Sequence, residues 1–357
     1  MEKIQTKGYG ASGSLIGGKT LEPMNFERNQ PKADELLVEV LYCGVCHSDL
    51  HQVNNDWKNT IYPCVPGHEI IGKVSSAGTA VTRFKAGDIV GVGCMIDSCK
   101  TCEACQDGEE QFCEGLHGQT MTYNGYWKPD PDFNTYGGYS NNLVVQEKFV
   151  MRIPENLDIK SAAPILCAGV TTYSPLKHFG VKSGHQVGII GIGGLGHMAI
   201  KLAKAMGATV TAITTKEEKR GAALELGADS VLVSENKEEM ENAAARFDFL
   251  LATIPYPFDI NDYVPLLRRR GAIVTVGLLG PYKQPTNNME VAKFSTTVGG
   301  SLIGGTTETQ EVLDFCAEHH ISPEVQLIDI ADINDAFEKV KDEEVRFRYV
   351  IDMATLN

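Results

Sequence analysis

The sequence VGIIGIGGLGHMAIKLAKAMG occupies residues 187–207 and contains the three glycines of a G-x-G-x-x-G motif. A compact apolar segment typical of a buried strand precedes the motif, and apolar side chains at helical spacing follow it. In this context Gly191 permits a tight turn, Gly193 lets the backbone approach a pyrophosphate, and Gly196 lets strand and helix pack closely. The stretch predicts a dinucleotide-binding loop, with a purely structural glycine turn as the alternative. The residues expected at the cofactor are Gly191, Gly193, Gly194, Leu195 and Gly196.

Strand-like and helix-like segments alternate around this loop and beyond it. Strands are predicted at residues 185–191, 209–214, 230–233, 247–254, 272–277 and 297–304. Helices are predicted at 195–206, from 215 onward, at 237–245 and near 262–267. The second of them is expected to open with a capping box formed by Thr215 and Glu218. Six strands joined by crossover helices indicate an α/β fold with a doubly wound parallel sheet of the Rossmann type.

The chain up to about residue 155 has a different texture, with short β-type runs, turns and glycines. Strands are predicted at residues 36–45, 70–78, 86–93 and 142–153, and a loop rich in Pro and Gly at 123–139. The pattern indicates a small, irregular β domain. A helix at 308–319 is expected to lead the chain back toward this domain after the last strand of the parallel sheet.

Four cysteines, Cys99, Cys102, Cys105 and Cys113, fall within fifteen residues with the spacing C-x2-C-x2-C-x7-C. The N-terminal residues resemble no secretory signal, and a chain of 357 residues can bury a large core without disulfides. A cytoplasmic location, where thiols stay reduced, is therefore expected, and the cluster is interpreted as a metal site. Four thiolates can close tetrahedrally on one Zn2+ and leave no open position, which predicts a structural zinc. An iron–sulfur cluster is the smaller alternative.

The net charge of −14 disfavours binding to nucleic acid, and no Lys/Arg run suggests a groove for it. No run of eighteen or more apolar residues occurs, so no membrane span is predicted.

A second group of candidate ligands is scattered along the chain. Cys46 lies in CGVCHSDLH, His68 in PGHE next to Glu69, and Cys167 in LCAGVTTY. Two thiolates and one imidazole form a known ligand set for catalytic zinc, with the fourth position left to water or substrate. The separation of the three residues in sequence leaves open whether they meet in space.

Six segments together resemble the zinc-dependent medium-chain alcohol dehydrogenases, and among these the cinnamyl alcohol dehydrogenase group with its bacterial aldehyde-reductase relatives. They run in family order from about residue 40 to residue 352: GVCHSDLH, YPCVPGHEIIG, VGVGCMIDSCKTCEAC, LCAGVTTYSPL, GIGGLGHMAIKLAKAMGA and RFRYVID. The resemblance implies reversible interconversion of alcohols and aldehydes with a nicotinamide cofactor. It also implies a GroES-like catalytic domain at 1–157 and 293–357, and a Rossmann domain at 158–292.

The same resemblance implies a role for each matched residue. Catalytic zinc is expected on Cys46, His68 and Cys167, and structural zinc on the four clustered cysteines, so two zinc ions per chain are predicted. Ser48 and His51 correspond to a proton relay, Asp49 to the carboxylate that orients His68, and Glu69 to a group that approaches the metal. His47 and Arg348 correspond to cofactor-binding positions. Trp57 and Cys94 correspond to the substrate pocket. The segment at 114–127 departs from the plant enzymes, which favours a broad aldehyde reductase over a phenylpropenyl-specific enzyme.

The strand after the glycine loop predicts the choice of cofactor. An enzyme that uses NAD carries Asp or Glu about 20 residues beyond the loop, where it binds the ribose 2′-hydroxyl. Here Thr214 and Thr215 lie at that position, and Lys219, which matches a lysine of the group, can supply positive charge to a 2′-phosphate. NADP(H) is therefore expected. Glu217 and Glu218 are the counter-argument, because a shifted turn would bring one of them to the ribose.

The sequence also predicts an oligomeric state. The apolar strand at 297–304 lies at an edge of the predicted sheet, and two copies pairing there would form a homodimer.

Three alternative functions stay open. A zinc-dependent polyol dehydrogenase is one, although a carboxylate often replaces the third cysteine in that group. A non-catalytic protein on the same fold and a nucleic-acid-binding zinc protein are the others.

Overall fold

The computed structural model describes residues 3–16, 18, 20–277, 280–341 and 347–356. Its strands are β1 Ile4–Gly10, β2 Glu22–Arg28, β3 Glu35–Gly44, β4 Ile70–Ala77, β5 Ile89–Val92, β6 Met95–Asp97, β7 Thr120–Met121, β8 Asn142–Gln146, β9 Val150–Arg152, β10 Gln186–Ile190, β11 Thr209–Thr214, β12 Ser230–Val233, β13 Phe247–Ala252, β14 Leu267–Thr275, β15 Thr297–Gly300, β16 Val325–Asp329 and β17 Arg348–Asp352.

The α-helices are α1 His47–Asn54, α2 Glu103–Gln106, α3 Ile159–Ala162, α4 Ala168–His178, α5 Gly194–Ala205, α6 Arg220–Glu225, α7 Lys237–Asn242, α8 Asn288–Lys293, α9 Thr306–Glu318 and α10 Ile333–Lys341. Short 3-10 helices occur at Glu110–Phe112, Glu147–Phe149, Ala163–Leu166, Glu217–Lys219, Ile260–Asp262, Val264–Leu266, Ile330–Asp332 and Met353–Thr355. No helix within the described ranges combines the length and the apolar character that crossing a membrane requires.

The chain divides into two compact units. The described residues up to Cys167 and from Gly304 onward form the first, and Ala168–Ile303 form the second. Both junctions lie about ten residues beyond the boundaries expected from the sequence, 157/158 and 292/293. The short helical segment Ile159–Leu166 belongs to the first unit, and this assignment keeps Cys167 with the other candidate metal ligands.

The second unit contains the predicted doubly wound sheet. Its strand order is β12-β11-β10-β13-β14-β15, and every neighbouring pair is parallel. The central strand β10 is almost wholly buried, as expected for a strand that helices cover on both faces. The Rossmann fold is thus confirmed, and its strand order reverses between β10 and β13, where such sheets bind ligands outside the carboxyl ends of the strands.

Two local expectations in this unit are wrong. The expected helix near 262–267 consists of two 3-10 turns, because Pro265 lacks the N–H that a continuous helix needs. No capping box forms at Thr215: a 3-10 turn follows β11, and α6 begins only at Arg220. The backbone N–H of Lys216 instead donates to the Thr214 hydroxyl at 3.3 Å, which closes the chain into a tight turn.

The first unit contains a mixed sheet of seven strands in the order β16-β17-β3-β4-β5-β9, with β8 also paired to β3. The C-terminal part of the chain completes it, because β17 pairs antiparallel with β3. The strand predicted at 142–153 is two strands separated by a 3-10 turn. Its halves have different partners, since β8 pairs with β3 and β9 with β5.

Candidate active site and metal centres

Helix α1 carries most of the predicted catalytic residues on two turns. Cys46 is its N-cap with extended backbone (φ −115°, ψ 152°), and His47, Ser48, Asp49 and His51 follow within the helix. The backbone N–H of Cys46 donates to Asp49 Oδ2 at 2.9 Å. An acidic side chain in the first helical turn stabilises the helix start, and here it also fixes the backbone that presents the Cys46 thiol.

The buried Asp49 carboxylate connects three segments of the first unit. Oδ1 accepts from the backbone N–H of Gly67 at 3.0 Å and lies 3.1 Å from His68 Nδ1. Oδ2 accepts from the Tyr139 hydroxyl at 3.3 Å, in addition to Cys46. A proton on Nδ1 of His68 leaves Nε2 as the lone-pair nitrogen, so Asp49 selects the tautomer that a metal requires. Sequence reasoning found Asp49 but missed Tyr139, which lies in a loop with no recognisable motif.

The scattered candidate ligands lie together. One ligand atom each from Cys46, His68, Glu69 and Cys167 falls within 4.8 Å of the others, and all four residues are buried. His68 Nε2 is 3.2 Å from Cys167 Sγ. Two thiols and an imidazole at this separation suit Zn2+, and a three-ligand set leaves one coordination position for another molecule. The donor chemistry therefore fits the zinc ion that the sequence predicts.

Glu69 and Arg348 form a buried ion pair beside these ligands. Arg348 Nη2 is 2.9 Å from Glu69 Oε1, and Arg348 Nη1 donates to the Val45 carbonyl at 3.3 Å. A Cβ on Gly44 would meet Glu69 Oε2 at 2.0 Å, so only glycine leaves space for this carboxylate. Burial raises the pKa of Glu69 to about 7, and the positive charge of Arg348 opposes the rise. The cofactor role expected for Arg348 stays a prediction, and its pairing with Glu69 was not foreseen.

Cys94 lies at the same site. Its thiol is hydrogen-bonded with Cys167, and this contact is the main reason why the pKa of Cys94 is lowered. The indole ring of Trp57 lies 5.7 Å from the His51 ring. Both residues were expected to line a substrate pocket, and that role stays a prediction.

His51 has a partner that sequence reasoning missed. Its Nδ1 lies 2.8 Å from Asp56 Oδ2, and both side chains are partly exposed. Asn55 ends α1 in the left-handed conformation (φ 60°), and the backbone N–H of Asp56 bonds the His51 carbonyl at 3.0 Å. This turn carries the Asp56 side chain back to the histidine. An Asn directly after a helix is a known signal for such a C-cap, and the residue after it could have been examined on that ground.

The four clustered cysteines also converge. Their sulfurs lie within 4.8 Å of one another, and all ten cysteines of the chain are free thiols. Backbone N–H groups point at the sulfurs at 3.4 Å: Cys102 at Cys99, Cys99 and Gly115 at Cys113, and Glu114 at Cys102. Backbone N–H donors at Thr101 and Cys102 lower the pKa of Cys99 to about 5. Four such sulfurs suit a closed tetrahedral zinc site.

The glycine loop of the second unit has the geometry of a phosphate-binding turn. Gly191 has φ +92°, and a Cβ on Gly196 would meet the Gly191 carbonyl oxygen at 2.0 Å. Gly193 is the N-cap of the twelve-residue helix α5, which begins at Gly194. A Cβ on Gly193 would find no atom within 4 Å, so space is open at the helix N-terminus, where N–H groups favour an anion. These features fit a dinucleotide, and the loop includes Leu195 as expected.

No carboxylate occupies the end of β11. Thr214 is its last residue, and the exposed Thr215 follows. Glu217 and Glu218 were the counter-argument to the predicted use of NADP(H). Glu217 is hydrogen-bonded to Arg220, and Glu218 is exposed in the 3-10 turn. Lys219 is the N-cap of α6. Thr214, Thr215 and Lys219 thus follow one another at the carboxyl end of β11. Two other predicted cofactor positions, His47 on α1 and Arg348 on β17, belong to the first unit.

Comparison with known proteins agrees with these features. The family model described as the alcohol dehydrogenase GroES-like domain matches residues 32–155, and the zinc-binding dehydrogenase model matches residues 194–318. The chain is 48% identical to an aldehyde reductase of Escherichia coli over 97% of this chain and 98% of that protein.

Two solved structures superpose over nearly the whole chain. A cinnamyl alcohol dehydrogenase from Sorghum bicolor has a TM-score of 0.93 and 39% identity and covers 99% of each chain. A cinnamyl alcohol dehydrogenase from Helicobacter pylori, complexed with NADP(H), has a TM-score of 0.91 and 39% identity and covers 100% of each chain.

Proposed function

The chain belongs to the zinc-binding alcohol dehydrogenases with a GroES-like domain, and from this premise we propose that it interconverts primary alcohols and aldehydes with NADP(H). One observation carries the proposal: a buried Cys46, His68 and Cys167 set, a ligand combination that leaves zinc one coordination position, occurs in the same chain as a G-x-G-x-x-G loop at a helix N-terminus. The first feature suits a Lewis acid, and the second suits the cofactor that exchanges the hydride. The chain can therefore hold both groups that a dehydrogenase reaction needs, the Lewis acid and the hydride carrier.

When bound, zinc polarises the carbonyl oxygen and the nicotinamide exchanges hydride with the carbonyl carbon. The chain's own residues hold these groups and handle the proton. Asp49 keeps His68 in the metal-binding tautomer. Ser48 and His51 share one face of α1 at the i, i+3 spacing, which suits a relay between the substrate oxygen and solvent. Asp56 holds the His51 ring with Nε2 as the proton acceptor.

The remaining metal ligands have a structural task. Cys99, Cys102, Cys105 and Cys113 would bind a second zinc with no open position, so this ion takes no part in chemistry. Its binding free energy instead stabilises the loop that carries the four cysteines.

NADP(H) is favoured over NAD(H) by what stands at the end of β11. Thr214 and Thr215 offer hydroxyls where a carboxylate would repel a 2′-phosphate, and Lys219 follows. The similar Helicobacter pylori enzyme was solved with NADP(H), which supports the same choice here. Glu69, His47 and Arg348 are proposed to act at the metal and cofactor as their family positions imply, and Trp57 and Cys94 to line the substrate pocket.

Two properties of the whole protein are proposed with the activity. Thiol ligands need a reducing compartment, which is the reason to expect a cytoplasmic enzyme. The edge position of β15 is the reason to expect a homodimer.

The test compares kcat/KM for one aromatic aldehyde with NADPH and with NADH. The wild type is expected to reduce the aldehyde and to prefer NADPH. Thr215→Asp is expected to lose NADPH efficiency by about tenfold or more, because a carboxylate is placed beside the 2′-phosphate. Thr215→Asn introduces a side chain of the same size as Asp but without its charge, and it serves as the control. Absence of aldehyde reduction by the zinc-loaded wild type would contradict the activity, and a preference for NADH would contradict the cofactor.

A further inference from the structure

The turn after β11 holds an arginine between two carboxylates. The Arg220 guanidinium binds Glu217 through two hydrogen bonds, Nε to Oε1 at 2.8 Å and Nη2 to Oε2 at 2.9 Å. Its Nη2 also lies 3.2 Å from Oε1 of Glu239 on α7, and its Nη1 donates to the Val231 carbonyl at 2.8 Å. Every guanidinium nitrogen thus has an acceptor within the second unit.

Glu239 fixes the position of this arginine. Its Oε2 accepts from the backbone N–H of Val233 at 3.0 Å, and its Oε1 accepts from the Asn236 amide at 3.0 Å. Arg220 is therefore anchored on one side by Glu239 and the Val231 carbonyl, and Glu217 is the partner it reaches on the exposed side. A two-pronged contact between Arg and a carboxylate fixes the direction of both groups.

Glu217 lies close to the expected position of the cofactor's 2′ group. It lies three residues beyond Thr214, the last residue of β11, and the 2′ end of a bound cofactor is expected at the end of this strand. A carboxylate released in this turn would accept a hydrogen bond from a ribose 2′-hydroxyl and would repel a 2′-phosphate. Bound to Arg220, both of its oxygens are occupied and its charge is compensated. The same contact lowers the pKa of Glu217 and raises that of Arg220.

We propose that Arg220 is a specificity-determining residue that acts indirectly: by holding Glu217 in an ion pair, it keeps this carboxylate from favouring NAD(H) at the 2′ end of the cofactor site. The inference rests on the proposed function, because it assigns a cause to the preference for NADP(H). It differs from the usual role of an arginine near this position, which is to contact the 2′-phosphate itself. In this protein the Arg220 nitrogens are directed at protein acceptors instead.

Binding of two cofactor fragments tests the proposal without a turnover assay. Calorimetry measures Kd for adenosine 2′,5′-bisphosphate, which carries the 2′-phosphate, and for 5′-AMP, which carries the 2′-hydroxyl. Arg220→Gln is expected to weaken the bisphosphate by about tenfold while AMP binds as well as before or better. In a Glu217→Gln background the same change is expected to alter bisphosphate affinity by less than about twofold, because the carboxylate through which Arg220 acts is gone.

One control and one replacement variant accompany these changes. Arg268 is a second arginine paired with a carboxylate, Asp248, but it lies near the start of β14, at the opposite end of the sheet from the cofactor. Arg268→Gln removes the same charge and is expected to leave both affinities unchanged. Arg220→Lys keeps the charge without the two-pronged contact, and it replaces Arg220→Gln if that variant fails to fold. A bisphosphate affinity at least twofold below that of the wild type is then expected, on the order of one lost hydrogen bond or less.

Three results overturn the proposal. The first is wild-type bisphosphate affinity in Arg220→Gln, or in Arg220→Lys where that variant replaces it. The second is an equal loss in the presence and absence of Glu217, which would mean that Arg220 contacts the phosphate directly. The third is an equal loss for AMP and for the bisphosphate. The proposed function fails on a separate measurement, aldehyde reduction by the wild type, so the two failures are distinguishable.

Discussion

Asp56 matters at the scale of single residues because it decides which nitrogen of His51 carries the proton. With its Oδ2 2.8 Å from Nδ1, the carboxylate holds the ring and leaves Nε2 as acceptor. Asp56→Asn removes the charge but keeps the size, so the ring loses the carboxylate that favours a proton on Nδ1. We expect kcat for alcohol oxidation to fall by about tenfold while zinc content stays unchanged.

Steady-state kinetics in H2O and D2O measure this effect, and a larger solvent isotope effect in the variant would locate it in proton transfer. Asp34→Asn is the control, since Asp34 is an exposed aspartate of the first unit outside the candidate site. An Asp56→Asn enzyme with the kcat and isotope effect of the wild type would exclude a role for Asp56 in positioning His51.

At the scale of secondary-structure elements, a buried glutamate joins the cysteine loop to helix α9. Glu110 is fully buried, and its Oε1 lies 2.8 Å from Lys148 Nζ. It also accepts from the backbone N–H of Thr306 at 2.9 Å and from its hydroxyl at 3.0 Å, at the first residue of α9. Lys148 in turn donates to the Cys105 carbonyl at 3.1 Å. One carboxylate therefore anchors the loop that carries the four clustered cysteines and accepts hydrogen bonds from the first residue of a helix far away in sequence.

Glu110→Gln tests this connection. The amide keeps one acceptor but loses the charge that pairs with Lys148, and we expect a loss of about 2 kcal/mol in the free energy of unfolding. Urea unfolding of the zinc-loaded protein measures it. Glu103→Gln changes an exposed glutamate of the same loop and is expected to stay within about 0.5 kcal/mol of the wild type. Equal effects of the two changes would show that the buried contact contributes no stability.

The elements also show how far the sequence predicts this molecule. Apolar segments located all six strands of the parallel sheet, because strands that helices cover on both faces are rich in apolar residues. Prediction failed where local signals compete: Pro265 divides an apparent helix, and the turn after Thr214 overrides a capping motif. The strands β1, β2, β6, β7, β16 and β17 were missed. Strands β1 and β2 pair with each other and are largely polar in sequence, and β17 pairs with the distant β3.

The candidate site divides in the same way. Residue types and motifs located two groups of candidate metal ligands, and the members of each group lie close together in the structure. Few other combinations of Cys and His suit zinc. The contacts of Tyr139 with Asp49 and of Arg348 with Glu69 join residues far apart in sequence, so no motif revealed them. The contact of Asp56 with His51 lies within one turn, and Asn55 at the end of α1 was the signal that could have revealed it.

At the scale of the whole molecule, two zinc ions with separable roles are expected. Cys167→Ser should give a folded protein with one zinc per chain and no aldehyde reduction, because the catalytic set loses a thiolate. Cys102→Ser should lower Tm and promote unfolding, because a closed structural site is opened. Elemental analysis, circular dichroism and thermal melts measure these outcomes. Cys316→Ala is the control, since this buried cysteine belongs to neither group of ligands and should leave both ions in place. An active wild type with fewer than two zinc ions would contradict the assignment.

The homodimer is tested at the edge of the parallel sheet. Within the described part of the chain, β15 pairs with β14 alone, and its first residue, Thr297, is exposed. A lysine at an exposed sheet edge opposes pairing with a second copy. Light scattering is expected to give about twice the chain mass of 38.8 kDa for the wild type and a lower, concentration-dependent mass for Thr297→Lys. Thr297→Ser should behave as the wild type. A wild type of single-chain mass at micromolar concentration would rule out this dimer.

Because the first unit is built from both ends of the chain, its parts are synthesised at different times. Strand β3 cannot pair with β17 until all of Ala168–Ile303 has been synthesised. The second unit can therefore finish folding before the first. Cys167 follows His68 by 99 residues, which takes about 5–20 s at ordinary elongation rates. For that interval the nascent chain offers Cys46 and His68 without their third partner. Arg348 emerges later still, so the Glu69 carboxylate acquires its counter-charge only when translation is almost complete.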